Sequence, residues 1–374
     1  MARPRSILGL LLLAWFAWSR LGGERSRPQT PGDRGLQTAV LKDGFAVTYT
    51  GDAGRRVVEI DAQGQRRREV ALPLPGDLRL IGTSIGSVVG WQDDKKLRLA
   101  RIDDLTEVDT FGHQVRQLCE GVASNAQRFG VGWLEGDDTV WVLHGPAADA
   151  ADGERTGPIA PPCHRSERSG VCAGAPPCHR SERSGVCAGA PPCHRSERSG
   201  VCAGALGAPA RNDWCGVASA EQNIALMWRS GDRMSIVMCS KRACSNLPAS
   251  FTLDRRLPLL GVGCLRNACL LATRDESGRP RLSLVTTTGR GKWNQPVAAS
   301  GAVSIVAAGD RAFAVGYAGP DGAEVIRLDR DGKVTALLRD PAAGAPALAW
   351  SDGRLLIARF RGDALIHDTV ALAR

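Results

Sequence analysis

The sequence has few of the groups that commonly carry catalysis or nucleic-acid binding. Only six of its 374 residues are histidine, and His113, His144 and His367 are the three that lie outside one repeated segment. The chain has no P-loop and no His-Glu-x-x-His motif, which are the signatures of a nucleotide site and of a zinc protease. Aromatic residues make up 5% of the chain and do not alternate with basic residues. Stacking against nucleic-acid bases therefore has no support.

The net charge of +9 does not come from a basic domain. Positive charge is concentrated in residues 1–19, 20–34 and 160–204, and the rest of the chain is close to neutral. A nucleic-acid-binding face would need clustered basic residues. We therefore expect no nucleic-acid partner.

Residues 1–19 have the three parts of a secretory signal peptide. Arginines precede an apolar run over residues 7–18, and small residues near its end suit cleavage after Ser19. The alternative is an uncleaved membrane anchor, but 12 apolar residues are fewer than the roughly 20 that span a bilayer. Residues 20–35 are expected to form a flexible lead-in. We expect an exported protein, periplasmic, at the cell surface or extracellular, with no membrane span after the leader is removed.

A pattern of strands and turns recurs along the rest of the chain. A short apolar strand is followed by a second strand that ends in a large residue, a Gly/Asp turn and a third, alternating strand. The seven residues that end the second strands are Tyr49, Trp91, Trp133, Trp228, Thr273, Tyr317 and Phe360. Their intervals are 42 to 45 residues, apart from one of 95 that contains the segment 160–204. The period-two alternation predicts strands, and units of this size bury their faces only by stacking.

This repeat resembles that of β-propeller proteins, in which four-stranded sheets pack face to face around an axis. The resemblance covers residues 36–374 and implies an all-β, seven-bladed β-propeller of four-stranded antiparallel blades. It indicates no named family, because WD40, kelch and full Asp-box signatures are missing. The large residues that end the second strands would pack between neighbouring blades. A fourth strand for the last blade would come from the N-terminal segment, and full thermal stability without residues 20–40 would contradict that hypothesis.

Residues 160–204 are three identical copies of APPCHRSERSGVCAG and contain six of the 12 cysteines. Complete identity between copies favours a recent expansion that is tolerated as a disordered loop, since long loops cost little closure entropy. A metal-binding tract and a disulfide-bonded tract are the alternatives. The eight- and five-residue spacings between cysteines differ from the two to four typical of zinc ligands. On the first interpretation, deletion of 160–204 leaves folding intact.

Two further cysteine pairs have four residues between them. Cys239 and Cys244 flank one predicted turn, and Cys264 and Cys269 flank another. Opposite residues of an antiparallel hairpin are close enough for a disulfide, so each pair is predicted to staple a hairpin. A single zinc site formed by all four is the alternative, although exported chains are more often oxidised than metallated.

Cys119 and Cys215 occupy equivalent positions in the first strands of successive repeats. Both are followed by the tripeptide Val-Ala-Ser after a glycine. If first strands converge on the axis, the two could form a disulfide between blades. Two small buried thiols are the alternative, and the sequence does not separate these interpretations.

The function predicted from these features is that of an exported, non-catalytic binding or scaffold module for a protein, peptide or glycan. The first strands are almost free of ionisable residues, whereas enzymes on this fold often place acids or histidines there. Asp329-Arg330-Asp331-Gly332 hints at a calcium loop but lacks the later ligands, so a turn is the better interpretation. We expect no metal, no cofactor and a monomer. The alternative is a hydrolase, lyase or quinone-dependent enzyme with its site at the channel mouth, which rests on fold analogy.

Overall fold

Every regular element in the described part of the chain is a β-strand. The structure is a computed structural model, and it describes residues 35–83, 86–105, 107–111, 114–125, 128–136, 140–146, 179–180, 187–188, 193–195, 202–205, 212–220, 223–239, 249–253 and 258–372. The predicted signal peptide and most of the lead-in lie outside these residues. Within them, no helix is long and apolar enough to cross a bilayer.

The first two sheets are four-stranded antiparallel meanders with strands in chain order. Their strands are β1 (Gln37–Leu41), β2 (Gly44–Gly51), β3 (Gly54–Asp61), β4 (Arg66–Ala71), β5 (Leu78–Thr83), β6 (Gly86–Asp93), β7 (Lys96–Arg101) and β8 (Glu107–Phe111). The second strands carry long apolar runs because both of their faces are buried. Gly44 begins β2 at a φ of 151°, where a Cβ would collide with the carbonyl oxygen of Ile60, so the hairpin requires glycine.

The third sheet is irregular. Its strands from the first part of the chain are β9 (Val115–Leu118), β10 (Ala123–Asn125), β11 (Arg128–Glu135) and β12 (Val140–Pro146). Both β9 and β10 pair with β11, so they are the two halves of one interrupted inner strand. The break between them has a role in joining this sheet to the next.

The repeated segment contributes four short strands. They are β13 (His179–Arg180), β14 (Cys187–Ala188), β15 (Cys193–Arg195) and β16 (Cys202–Ala205). β13 pairs with β14, and β15 pairs with β16. β16 also pairs with β12, so the end of the third copy is the fourth strand of the third sheet, and β15 lies beyond it at the edge.

The remaining sheets return to the regular pattern. The fourth contains β17 (Asn212–Ala220), β18 (Asn223–Ser230), β19 (Arg233–Cys239) and β20 (Ala249–Thr252). The fifth contains β21 (Leu259–Leu265), β22 (Ala268–Arg274), β23 (Pro280–Thr286) and β24 (Gly291–Pro296). The sixth contains β25 (Val303–Ala307), β26 (Ala312–Gly319), β27 (Gly322–Asp329) and β28 (Val334–Asp340). The seventh contains β29 (Ala347–Ser351), β30 (Arg354–Arg361) and β31 (Ala364–Ala371).

Hydrophobic clusters between neighbouring sheets join the sheets into a ring. Each cluster takes buried residues from two sheets that follow one another in the chain. One further cluster packs Phe45 and Ile60 of the first sheet against Leu356 and Phe360 of the seventh. Burial of apolar area on both faces of each sheet is the main stabilising contribution of this arrangement. The protein is therefore a β-propeller.

The structure confirms the predicted all-β propeller with four-stranded antiparallel blades, and it corrects the regularity expected of it. The described residues form six regular blades where seven were predicted, because the third sheet has a divided inner strand. In the described residues the seventh sheet ends at β31. The hypothesis that the N-terminal segment adds its fourth strand concerns residues before Gly35 and stays a prediction. β1 itself is the inner strand of the first sheet, paired with β2.

Candidate functional site

A cavity of about 1180 Å3 lies on the axis of the ring. Its wall includes residues of β1, β5, β17, β21, β25 and β29, the first strands of six sheets. Each of these strands pairs with one other strand of its sheet, so its second backbone edge faces the cavity. Connections 300–302 and 344–346 surround one mouth, and turns 308–311 and 351–353 surround the other. The cavity therefore runs from one face of the ring to the other.

Polar side chains of the inner strands bind the backbone of the neighbouring inner strand. The amide of Gln37 donates through Nε2 to the carbonyl oxygen of Leu78 at 2.7 Å, and its Oε1 accepts from the backbone N–H of Leu80 at 3.1 Å. On the other side of β1, Thr38 Oγ1 donates to the carbonyl oxygen of Leu348 at 2.6 Å. These bonds satisfy backbone groups at exposed strand edges, which would otherwise be open to pairing. Gln37 and Thr38 therefore have a structural role in the wall.

The break in the third inner strand connects the third and fourth sheets. Cys119 forms a disulfide with Cys215 on β17, with a Cα–Cα distance of 4.7 Å. The next residue, Glu120, pairs in parallel with Gly216 and donates its N–H to the carbonyl oxygen of Cys215 at 2.9 Å. Gly121 follows at a φ of 71°, and a Cβ there would lie 2.6 Å from a backbone oxygen of β17. The interrupted strand thus lets the chain reach the neighbouring blade.

The second described disulfide is local. Cys264 and Cys269 lie directly opposite each other on β21 and β22, and both are fully buried. Cys239 is also disulfide-bonded, and Cys244 lies outside the described residues. The pairing of Cys239 with Cys244 therefore stays a prediction.

The aromatic residues that end six of the second strands lie in the hydrophobic clusters between sheets. Trp91, Trp133, Trp228, Thr273, Tyr317 and Phe360 are buried, and Tyr49 is half-buried. The ring of Tyr49 meets that of Phe360 edge to face, with 5.5 Å between the ring centroids. Tyr317 donates its hydroxyl to Glu324 at 2.7 Å, and burial together with this carboxylate raises the pKa of the phenol. These side chains line blade contacts rather than the axial cavity.

Three arginines line the cavity. Arg79 donates to the carbonyl oxygen of Cys119 at 2.7 Å, and Arg311 is exposed at the rim. Arg327 lies on β27 of the sixth sheet, is half-buried, and lines the cavity together with Trp350 of the seventh sheet. Among the described residues its guanidinium has no hydrogen-bond or ion-pair partner. Asp310 and Asp352, in contrast, are exposed at the rim of the same mouth. The rim of this crevice between the sixth and seventh sheets therefore carries both signs of charge, from Asp310, Asp352 and Arg311, and the guanidinium of Arg327 lies further in.

A buried ion network joins the first and second sheets. Glu59 accepts a bidentate pair of bonds from Arg68, at 2.6 and 2.8 Å, and a third from the Ser87 hydroxyl at 2.8 Å. Arg68 also contacts Asp103. Burial raises the pKa of Glu59, but the hydrogen bonds from Arg68 and Ser87 outweigh it and leave that pKa lowered. This network stabilises a blade contact and lies away from the axis.

A second ion network joins the sixth and seventh sheets. The carboxylate of Asp340 accepts from Arg359 Nε at 2.7 Å and from Arg361 Nη2 at 2.8 Å, and Arg359 also donates to Asp368 at 2.5 Å. The bonds from Arg359 and Arg361 lower the pKa of Asp340 to about 2. The sequence analysis did not identify either network. The available signal was an ionisable residue inside an apolar run, as at Glu59 and Arg359.

Residues 82–86 match Gly-x-Ser-x-Gly, so the prediction that the chain lacks this motif is wrong. In a serine hydrolase this motif occupies a sharp turn from a strand to a helix. Here it lies in the hairpin turn between β5 and β6, where Thr83 Oγ1 donates to the carbonyl oxygen of Gly86 at 2.7 Å. Ser84 lies outside the described residues. The surrounding strands do not provide the backbone context that the motif needs.

The remaining candidate polar residues take part in local structure. The carboxylate of Asp329 accepts from the backbone N–H groups of Asp331 and Lys333 at 2.9 and 2.8 Å, within the turn between β27 and β28. His367 Nε2 lies 2.9 Å from the carbonyl oxygen of Gly64, across the contact between the seventh and first sheets. His144 is on β12, and His113 lies outside the described residues.

Comparison with known proteins shows the fold alone. No protein-family model matches the chain, and no curated protein matches it in sequence. A chain in the crystal structure of the Mitotic Checkpoint Complex matches with a TM-score of 0.50 at 15% identity, over 91% of this chain and 88% of that one. A second match is the β-propeller domain of the Trilobed protease from Pyrococcus furiosus, which is described as having an open velcro topology. Its TM-score is 0.49 at 8% identity, and the match covers 91% of this chain and 97% of that one.

A streptogramin B lyase matches with a TM-score of 0.45 at 11% identity, over 91% of this chain and 94% of that one. The match to the chain of the Mitotic Checkpoint Complex, at 15% identity, shows a shared fold alone, so the function has to be argued from this chain's own residues.

Proposed function

We propose that the protein is an exported, non-catalytic, seven-bladed propeller that binds a carboxylate-bearing peptide or glycan in its axial cavity. The seventh blade of this count is the irregular third sheet, completed at its outer edge by β16. The observation that carries the binding proposal is the half-buried guanidinium of Arg327, which lines the cavity without a partner among the described residues.

The cavity wall suits an extended ligand. Its volume of about 1180 Å3 exceeds the upper end of the range common for small-molecule sites, about 300–1,000 Å3. Small residues such as Ala39, Gly261, Ala307 and Ala349 leave room along the wall, and the inner strand edges offer backbone N–H and C=O groups. A chain with regularly spaced polar groups can use such edges, as peptides do when they bind along a strand.

The charge pattern of the crevice indicates the ligand's charged group. A guanidinium forms two parallel hydrogen bonds with a carboxylate, and partial burial strengthens such bonds. Arg327 can supply both donors because it has no bond to break within the described residues. The rim combines Asp310 and Asp352 with Arg311, so it offers little net attraction to a ligand that is acidic along its whole length, and the favoured ligand has an isolated carboxylate.

Replacement of Arg327 by glutamine is expected to weaken binding of an acidic probe by about 10- to 100-fold, because charge-assisted hydrogen bonds contribute about 1.5–3 kcal/mol. Isothermal titration with a peptide bearing one glutamate and with an oligosaccharide bearing one uronic acid distinguishes the two ligand sources. Arg290→Gln, which removes an exposed arginine in the turn between β23 and β24, is the matched control. Equal affinities of the two variants, or no binding of either probe to the wild type, would contradict the proposed site.

The same titration separates a binding protein from an enzyme. A binding protein returns the probe unchanged, so mass spectrometry of the recovered probe is expected to show its original mass. Cleavage or elimination of the probe, lost in Arg327→Gln but kept in Arg290→Gln, would favour the enzymatic alternative.

Export is supported by the two described disulfides, which persist in oxidising compartments. The proposed cleavage after Ser19 lies outside the described residues and is tested by the mass of the protein in the exported fraction. The expected mature chain begins at Arg20. A full-length chain that begins at Met1 and remains in the membrane fraction would show an anchor instead.

A further inference from the structure

The outer strand of the third sheet comes from the last copy of the repeated segment. In the first, fifth and sixth sheets the third and outer strands are separated only by residues 62–65, 287–290 and 330–333. In the third sheet the corresponding interval is 147–201. The first two copies and most of the third therefore lie between the third strand, β12, and β16, which is the end of the third copy.

The spacing after β16 matches that of the regular blades. The outer strands β4, β20, β24 and β28 are each joined to the next inner strand by six residues. Residues 206–211, also six, join β16 to β17. This agreement is independent of the pairing itself, in which Ala203, Gly204 and Ala205 oppose Leu143, Val142 and Trp141. Both observations assign Cys202–Ala205 as the outer strand of this blade.

Two copies of the repeat form the same hairpin. In the second copy His179 opposes Ala188 and Arg180 opposes Cys187. In the third copy His194 opposes Ala203 and Arg195 opposes Cys202, which is the same register displaced by one repeat length. Identical sequences with one register indicate that the 15-residue unit itself encodes the hairpin, since turn geometry sets hairpin register.

We infer that the copies are interchangeable outer strands for the third blade. Each copy ends in the tetrapeptide Cys-Ala-Gly-Ala, completed by Ala175, Ala190 or Ala205. Any copy can therefore present the same strand to the edge of β12. One copy is needed to cover that edge, and the second copy, whose hairpin has the same register, is a spare. This inference replaces the expectation that the whole segment 160–204 is dispensable, and it does not depend on the proposed ligand.

Chains with one copy or no copy of the repeat test whether a copy is needed to cover the edge of β12. A chain that lacks residues 160–189 keeps one copy and is expected to retain the wild-type melting temperature and the hydrogen-exchange protection of amides 141–143. A chain that lacks 160–204 exposes the edge of β12, so its melting temperature should fall by on the order of 5 °C. Protection should be lost at those amides among 141–143 that point to β16, whereas the alternate amides, which point to β11, stay protected. Wild-type stability and protection after complete deletion would overturn the inference.

Proline substitutions test interchangeability. Ala203→Pro removes a strand donor from the third copy. In the one-copy chain this substitution should match complete deletion, whereas in the three-copy chain another copy should replace the damaged strand and keep amides 141–143 protected. Ala173→Pro, the same change in the first copy, is the control and should have no effect in the three-copy chain. Equal loss of protection from Ala203→Pro in the one-copy and three-copy chains would overturn interchangeability.

Discussion

Replacement of Asp340 by alanine is expected to lower the free energy of unfolding by about 3 kcal/mol, the low end of the cost of breaking a buried ion pair. Asp340 is 4% exposed and accepts hydrogen bonds from Arg359 and Arg361. Its loss leaves the guanidinium of Arg359, also 4% exposed, with Asp368 as its remaining carboxylate. Because these bonds join the sixth and seventh sheets, their loss weakens the contact between these two blades. Urea denaturation gives the measurement.

The effect of Asp340 depends on pH in a defined direction. Its pKa is lowered from 3.8 to about 2 in the folded protein, so its carboxylate binds protons more weakly in the folded than in the unfolded chain. The stabilisation is complete above pH 3.8 and is lost as the pH falls through 2. The difference in unfolding free energy between wild type and Asp340→Ala should therefore be constant near neutral pH and shrink below pH 4.

The control for this substitution is Asp321→Asn, an exposed carboxylate in the turn between β26 and β27. It should change the free energy of unfolding by less than about 0.5 kcal/mol at any pH, as surface substitutions usually do. An Asp340→Ala variant as stable as Asp321→Asn would show that the ion network contributes nothing to the blade contact.

Removal of the Cys119–Cys215 disulfide by a double alanine substitution is expected to cost about 4–5 kcal/mol. A cross-link restricts the unfolded chain more when it closes a longer loop, and these cysteines are 96 residues apart. On the chain-entropy model, closure of a loop of that length contributes about 4.7 kcal/mol. The disulfide also links the two sheets on either side of the repeated segment, so the contact between these blades should weaken first. Denaturant unfolding under non-reducing conditions gives the size of the loss.

The Cys264–Cys269 pair provides a matched control, since both cysteines are buried and the same atoms are removed. Its sequence separation is five, so the same model gives about 2 kcal/mol for its replacement by alanines. The difference in the free energy of unfolding between the two double variants measures the effect of the length of chain that each disulfide encloses. Equal losses would contradict the loop-length explanation.

The strands and their local pairing could be predicted from the sequence, because both depend on neighbouring residues. Alternation such as Val57-Val58-Glu59-Ile60 predicts a strand, and the Gly-Asp turns predict where hairpins reverse. The disulfide between Cys264 and Cys269 belongs to the same class, because the hairpin that turns at residues 266–267 places these two cysteines opposite each other. The recurrence of these hairpins then predicts stacking around an axis.

The candidate site was predicted only in outline. The inner strands were expected to converge on the axis, and the structure lines the cavity with them. Arg327 could not be selected, because it lies in an alternating third strand that resembles several others in the chain. Its importance depends on which residues of the seventh sheet come close to it, and those residues are set by packing between blades.

The sequence by itself determined the all-β class, the repeating hairpins and the propeller, because the period-two pattern and the turn residues act over a few residues. Only the tertiary structure decided which distant residues meet. It paired Cys119 with Cys215, brought the hydroxyl of Ser87 within hydrogen-bond distance of the carboxylate of Glu59, and brought the third copy of the repeat to the edge of β12. The physical reason is that contacts between blades depend on the register and stagger of whole sheets. No local pattern records that arrangement, so the charges and cysteines that depend on it appear only in the folded ring.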